Sequence, residues 1–176
     1  MPDAPGLELI AQELNAVAEG SVLATYHEHD QACLIVSPER ILDVLRWLRD
    51  APGQEYRFLA SLHGVDYLPA TPRFGVVYEL LNMPRVERLR VRAALADPGG
   101  DELPEIASCV ELFPTAEFQE REVYDFFGVV FRGHPDLRRI LMPEEYVGWP
   151  QRRDFPMGGE PVIFTRDEPE MPRWYE

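Results

Sequence analysis

EFQEREVYDFFGVVFRGHPDLRRILMPEEYVGWPQRRDFP, residues 117–156, divides into a helical start and a remainder that neither helix nor sheet absorbs. Pro114-Thr115 can start a helix, with Glu117 and Glu120 near the positive end of its dipole. Glu117, Arg121 and Asp125 recur at i, i+4 and i+8, the spacing of an acid–base–acid ladder along one helix face. Val123 and Phe127 share another face, and Gly128 suits a left-handed residue closing the helix. Beyond it, Val129-Val130-Phe131 can form a short strand, but Pro135, Pro143, Pro150 and Pro156 follow among paired arginines. Proline removes a backbone donor and opposes helix and central strand alike, so the arm is expected to be extended and irregular. A domain seldom carries so long a structureless segment unless it works on something. The expected division is an α+β domain over 1–128 and an irregular C-terminal docking arm over 129–176, mobile until a partner covers it.

The 176 residues suffice for one ordinary core plus such an arm, and 45% hydrophobic content fits a folded chain. A formal charge of −14 argues against binding nucleic acid or an anionic membrane surface. Residues 113–156 hold eight acids and six arginines, nearly balanced, as a docking surface with paired charges would be. All 17 basic residues are arginine. Cys33 and Cys109 form no CxxC, and two thiols cannot supply the four ligands an iron–sulfur cluster usually takes. They imply no disulfide framework, which points to a reducing compartment. The N-terminus lacks a basic region and an apolar signal core, and no apolar run approaches the roughly 18 residues of a membrane span. The chain is expected to be soluble, or peripheral through a partner, and colourless and metal-free in isolation.

Upstream, Leu7, Ile10, Ala11, Leu14, Val17 and Ala18 recur at helical spacing. Val22–Tyr26 and Ala32–Val36 read as strands around His27-Glu28-His29-Asp30. Ser37-Pro38 opens a second helix whose stripe is Ile41, Leu42, Val44, Leu45 and Leu48. Strands are expected within Tyr56–Tyr67, Phe74–Leu81 and Val86–Leu95, the last alternating Leu89, Val91, Ala93 and Leu95 against Arg88, Arg90 and Arg92. Pro104–Leu112 reads as a short helix. This order predicts an α+β fold: a mixed, partly antiparallel sheet with helices on one face, followed by the Pro-rich arm. Neither GxGxxG nor GxxxxGK[ST] occurs, so no nucleotide cradle is expected.

Several groups carry competing readings. His27 and His29 would lie on one side of a strand, as metal ligands do, but no third ligand is evident and a polar hairpin turn accounts for them. The row Arg88, Arg90 and Arg92 could bind an acidic partner, or be a solvated face paired with groups such as Glu79. His134 and Asp136 could be an acid–base dyad, though no Ser or Cys nucleophile is near in sequence, or they could tie a proline turn to backbone. Glu120-Arg121-Glu122 is ordinarily a solvated helix face, and becomes specific when Tyr124-Asp125 and Gly128 follow.

With Phe131, Gly133-His134-Pro135-Asp136-Leu137, Arg139, Gly148, Pro150 and Arg153-Asp154-Phe155-Pro156, these residues resemble the signature of one family, the C-type peripheral-arm subunit of NADH-quinone oxidoreductase, respiratory complex I. A fainter likeness runs through Val65-Asp66-Tyr67, Phe74, Val77-Tyr78 and Ser108. Glu117-Phe118 stands where the family usually has Asn-Trp, Gln151 where Leu is common, and Arg152-Arg153 where Arg-Lys is usual. The resemblance implies a non-redox adaptor with no catalytic, cofactor or metal residues of its own. FMN and iron–sulfur clusters would sit in partner subunits of a complex that carries electrons from NADH to quinone and couples this to proton translocation. The implied partners are a large, hydrogenase-like D-type subunit and neighbouring iron–sulfur subunits, on the cytoplasmic side of the cell membrane, with membrane contact only through the complex. The implied interface residues are Glu120, Arg121, Glu122, Tyr124, Asp125, Gly128, His134, Pro135, Asp136, Arg138, Arg139, Gly148, Pro150, Arg153 and Asp154. Arg138 and Arg139, with Asp136 and Asp154 in support, are expected to meet carboxylates or backbone carbonyls at the interface as Leu137, Ile140, Leu141 and Met142 bury against a partner. The alternatives are an adaptor of a related membrane-bound hydrogenase or ferredoxin-fed dehydrogenase, and a free-standing hydrolase or isomerase using His134 and Asp136.

Overall fold

A computed structural model describes residues 2–29, 31–100 and 102–156; the last part of the expected arm, 157–176, lies outside the described residues. The expected apolar stripes become the buried faces, except at Val17, which is exposed. Helix α1 (Ala4–Val17) buries Leu7, Ile10, Ala11 and Leu14, and the Asp3 carboxylate caps it by accepting the Gly6 N–H at 2.8 Å. Strands β1 (Val22–Glu28) and β2 (Gln31–Val36) form a hairpin longer than expected, because the ladder runs on until Glu28 faces Gln31, with His29 at φ 50°. A 3₁₀ turn over Pro38–Arg40 leads into α2 (Ile41–Asp50), which buries Ile41, Val44, Leu45 and Leu48.

Strands β3 (Phe58–Asp66), β4 (Phe74–Asn82) and β5 (Glu87–Leu95) follow as an antiparallel meander. The sheet order is β1-β2-β5-β4-β3, with β2 and β5 parallel and the other pairs antiparallel. The mixed sheet is thus the expected α+β architecture. Alternation gives it two faces. Leu34 and Val36, then Leu89, Val91, Ala93 and Leu95, then Phe74, Val76, Tyr78 and Leu80 share one core with the helices. The opposite face carries Cys33, Glu79, Arg90 and Arg92, with Arg90 Nε 2.5 Å from Glu79 Oε1, the cross-strand pair anticipated from the arginine row.

One expected element is corrected. Pro104–Leu112 does not form a helix: Glu105–Ala107 is strand β6, paired in parallel with β7 (Val130–Arg132). The pairing buries Ile106 and Phe131, and a partner 25 residues downstream leaves no local periodicity to read. Because β7 lies beyond Gly128, the expected domain boundary at 128 separates two paired strands. Between them runs α3 (Ala116–Phe127), closed as expected by Gly128 at φ 69°.

Helix α3 crosses β3 so closely that a Cβ on Gly64 would lie 2.6 Å from Phe127 Cδ2. Gly64→Ala is therefore expected to cost about 1–3 kcal/mol in denaturant unfolding, through a forced shift of the ring. Phe127→Ala should cost less in that background than in the parent chain; strictly additive losses would show that the two residues do not press on each other.

Candidate functional site

The inward side of α3 sets out charges where apolar residues would be expected. Glu120, Arg121 and Asp125 are all buried. A buried charge is tolerable only with partners, and each of these finds them outside its own helix. The expected Glu117–Arg121–Asp125 ladder does not form, because Arg121 and Asp125 both turn to the segment after β7.

Asp125 is the centre. Its Oδ2 accepts the backbone N–H groups of Ile140, Leu141 and Met142 at 3.1, 2.7 and 2.8 Å. Its Oδ1 accepts Nη1 of Arg139 at 2.7 Å. The same Nη1 reaches the Asp125 carbonyl at 3.0 Å, while Nη2 donates to the carbonyls of Tyr146 and Gly148, each at 2.9 Å. The Arg139 guanidinium also lies over the Trp149 ring, 4.7 Å from its centroid, and Tyr124 meets that ring edge-on at 5.3 Å. Arg121 adds bonds to the Arg138 and Arg139 carbonyls at 3.2 and 3.0 Å. Burial alone would raise the Asp125 pKa, but the Met142 amide, Arg139 and the two neighbouring amides hold it below the usual carboxylate value.

A second clamp grips the end of this strap. Arg73 donates to both oxygens of Asp66 (3.1 and 2.9 Å), to Asp97 at 2.8 Å and to Asp154 at 2.6 Å. The Arg153 amide also donates to Asp66 Oδ2 at 2.9 Å, and its guanidinium to the Leu68 carbonyl at 2.6 Å. Burial pushes Asp66 up, but Arg73 and the Arg153 and Leu68 amides overcome this and bring it to about 2. Between the clamps, Arg152 Nε donates to the Phe127 carbonyl at 2.7 Å. Gly128 is required here: a Cβ would come within 2.5 Å of Trp149 Cε2. Gly148, at φ 101°, turns the chain beneath Phe155, and Pro150 is half-buried beside Trp149.

The arm is thus irregular, as expected, but over 129–156 it is not loose: it is strapped to its own domain. The docking role expected of Arg139 is corrected by the same geometry, since its carboxylate is Asp125 of this chain. Arg138 does face outward, in an exposed pair with Asp136 at 2.8 Å, while Pro135 and Glu122 are exposed. The solvated reading of Glu120 is overturned: buried, it accepts Ser108 Oγ at 2.6 Å and the Cys109 N–H at 2.7 Å, tying α3 to the turn after β6. Burial raises its pKa, with Ser108 and Cys109 pulling the other way.

His134 and Asp136 do not form a dyad. The Asp136 amide donates to His134 Nδ1 at 3.0 Å, which leaves the proton on Nε2, 2.9 Å from the Glu117 carbonyl oxygen. The turn is thereby fixed to α3. Nothing in the local sequence marks Arg73 and Asp97 as members of a clamp. Asp154, another carboxylate on Arg73, lies 81 residues from it, and no periodicity joins them. The strap and α3 turn Phe118, Ile140 and Leu141 to solvent, with exposures of 59%, 36% and 60%.

Asp125→Ala would leave Arg139 and the Ile140, Leu141 and Met142 amides without their acceptor, an expected loss of about 3–5 kcal/mol. Trypsin should then cut rapidly at Arg138 and Arg139, whereas Asp136→Ala, in an exposed pair, should leave stability nearly unchanged. Slow cleavage of the Asp125 variant would show that the strap is held elsewhere. The lowered Asp66 pKa also sets a sign for pH. Its contribution is complete above the unfolded carboxylate pKa of about 4 and is lost as pH falls through about 2. Unfolding free energy should drop across that window, and Asp66→Asn should flatten the drop.

The profile of the family described as the respiratory-chain NADH dehydrogenase 30 Kd subunit matches residues 34–161, a stretch that contains α2, β3 to β7, α3 and the strap. The C-type subunit of the NADH-quinone oxidoreductase of Roseiflexus castenholzii is 43% identical over 156 residues, covering 89% of this chain and 87% of that one. Its counterpart in Herpetosiphon aurantiacus is 47% identical over 141 residues, covering 80% of each. Among solved structures, the trypsin-resistant fragment (1-134) of Nqo5 is 32% identical, covers 74% of this chain and 98% of its own, and superposes with a TM-score of 0.60. A chain of the archaeal membrane-bound sulfane sulfur reductase, 24% identical and covering 85% of each chain, shares the fold with a TM-score of 0.67. The clamped strap therefore lies inside a shared sequence block, and the chain belongs to the family of the respiratory-chain NADH dehydrogenase 30 kDa subunit.

Proposed function

We propose that this chain is a non-redox structural adaptor in the peripheral arm of NADH-quinone oxidoreductase, held against a large, hydrogenase-like D-type subunit and its iron–sulfur neighbours. The observation that carries the adaptor role is where the signature's charges go. Arg121, Asp125, Arg139 and Asp154 are occupied in fixing the chain's own strap, and Glu120 in tying α3 to the turn after β6, so each is engaged within the fold. Fixing the strap leaves Phe118, Ile140 and Leu141 exposed, with the Arg138–Asp136 pair also on the surface, apolar side chains on offer to a partner. No helix among the described residues is long and apolar enough to cross a membrane. The proposal assigns FMN and iron–sulfur clusters to partner subunits, membrane contact to the assembled complex, and the chain itself to the cytoplasmic side.

A tagged chain isolated with its complex from native membranes should bring down the D-type subunit, and the purified chain alone should be colourless and without NADH or quinone turnover. Phe118→Asp combined with Leu141→Asp should leave the circular dichroism unchanged. It should reduce recovery of the partner at least about tenfold, the effect of losing roughly 1.4 kcal/mol of a buried apolar anchor. Undiminished recovery and quinone reductase activity in that variant, or stoichiometric flavin or iron in the isolated chain, would refute the proposal. Copurification with a hydrogenase or a ferredoxin-fed module would instead assign the chain to a sister complex.

A further inference from the structure

The sheet face turned away from the helices includes the parallel β2–β5 pair, and parallel strands are ordinarily covered on both faces. Register places Tyr26, Cys33, Arg90, Glu79 and Ser61 in one row across this face, and Phe58, Leu81 and Arg88 in the next. The rows border a cleft of about 490 Å³ lined by His29, Gln31, Ser61, Glu79, Arg88 and Arg90. Tyr26 and Phe58 remain 47% and 45% exposed on this face.

The three arginines of β5 are not equivalent. Arg90 is paired with Glu79, and Arg92 stacks on Tyr67 at 4.2 Å from the ring centroid. Among the described residues the Arg88 side chain has neither a hydrogen bond nor an ion pair, while its backbone pairs with β4. An unpaired guanidinium on a face that also exposes Tyr26 and Phe58 offers an acidic segment both a charge partner and apolar contacts. The backbone N–H groups of β2, β4 and β5 lie in central ladders, so this face has no backbone anion cradle. Only side chains are on offer, and a guanidinium fork matches a carboxylate.

We propose that this cleft seats an extended acidic segment of a neighbouring subunit, its carboxylates on Arg88 and Arg90 and its apolar side chains against Tyr26 and Phe58. The proposal rests on the adaptor reading, since it needs a neighbour. It concerns the sheet face, not the patch on α3 and the strap.

The composition of the chain supplies the test. It contains no lysine, so Arg88→Lys places a lone side-chain amine in the cleft. The variant is purified in its complex and treated with a carbodiimide, which joins that amine to a touching carboxylate as an amide with loss of water. The expected product is a single intersubunit link mapping to an acidic segment of one neighbour. It should be absent from the parent complex and from an Arg57→Lys control. In parallel, phenylglyoxal should modify Arg88 of the parent chain at least about tenfold more slowly in the complex than in the isolated chain, as burial of a contact residue implies. The proposal is overturned if, in a complex holding all its subunits, the amide forms only with Glu28 or Glu79, or only with Asp167, Glu168 or Glu170 of the same chain. It is equally overturned if no amide forms, or if Arg88 reacts at the same rate in both states. Failure of the parent chain to copurify with any other protein of the complex would overturn the adaptor reading itself, and the two results are separable.

Discussion

A carboxylate removed from water must be surrounded by donors, and Asp125 meets that demand with backbone N–H groups at 140–142 and the guanidinium of Arg139. The requirement works in both directions. The strap between Gly133 and Pro156 has too many prolines to place its amides in a ladder, so its backbone depends on side-chain acceptors. One buried carboxylate satisfies three consecutive amides, and Arg139 then returns donors to the carbonyls of Tyr146 and Gly148. An irregular segment thereby acquires a single conformation without regular secondary structure.

The other clamps extend the same logic. Arg73 gathers Asp66, Asp97 and Asp154, joining the ends of β3 and β5 to the end of the strap. Glu120 binds the turn after β6, and His134 binds the start of the strap to α3. Helix α3 is therefore a hub, with its apolar face on β3 and its charged face under the strap. With these charges satisfied internally, Phe118, Ile140, Leu141 and the Arg138–Asp136 pair stay on the surface. An adaptor benefits from such rigidity, since little conformational freedom remains to be lost when a partner docks.

Much of the fold was legible from the chain. The stripes Leu7–Leu14 and Ile41–Leu48, the alternation of Leu89, Val91, Ala93 and Leu95, and the cap at Gly128 each follow from local periodicity or backbone sterics. The family likeness was legible for a similar reason: Arg121, Asp125, Arg139 and Asp154 stand at fixed spacings along one 40-residue stretch. The parallel pairing of β6 with β7 was not legible, because its partner strands flank a helix and neither is long enough to show a pattern.

Apart from β6, local pattern along the chain dictated the order of elements, the side most of them bury, and an arm with little regular structure. Where the arm's charges go was settled by packing in three dimensions. Arg139 could as well have met a partner's carboxylate, and Glu120 could have faced water, since both choices leave the same local pattern. Packing α3 against β3 brought Asp125 beneath the strap, and the β3–β4 connection brought Arg73 within reach of Asp154, 81 residues away. Ion pairing depends on distance in space and on exclusion of water, and neither is written in the spacing of residues along a chain.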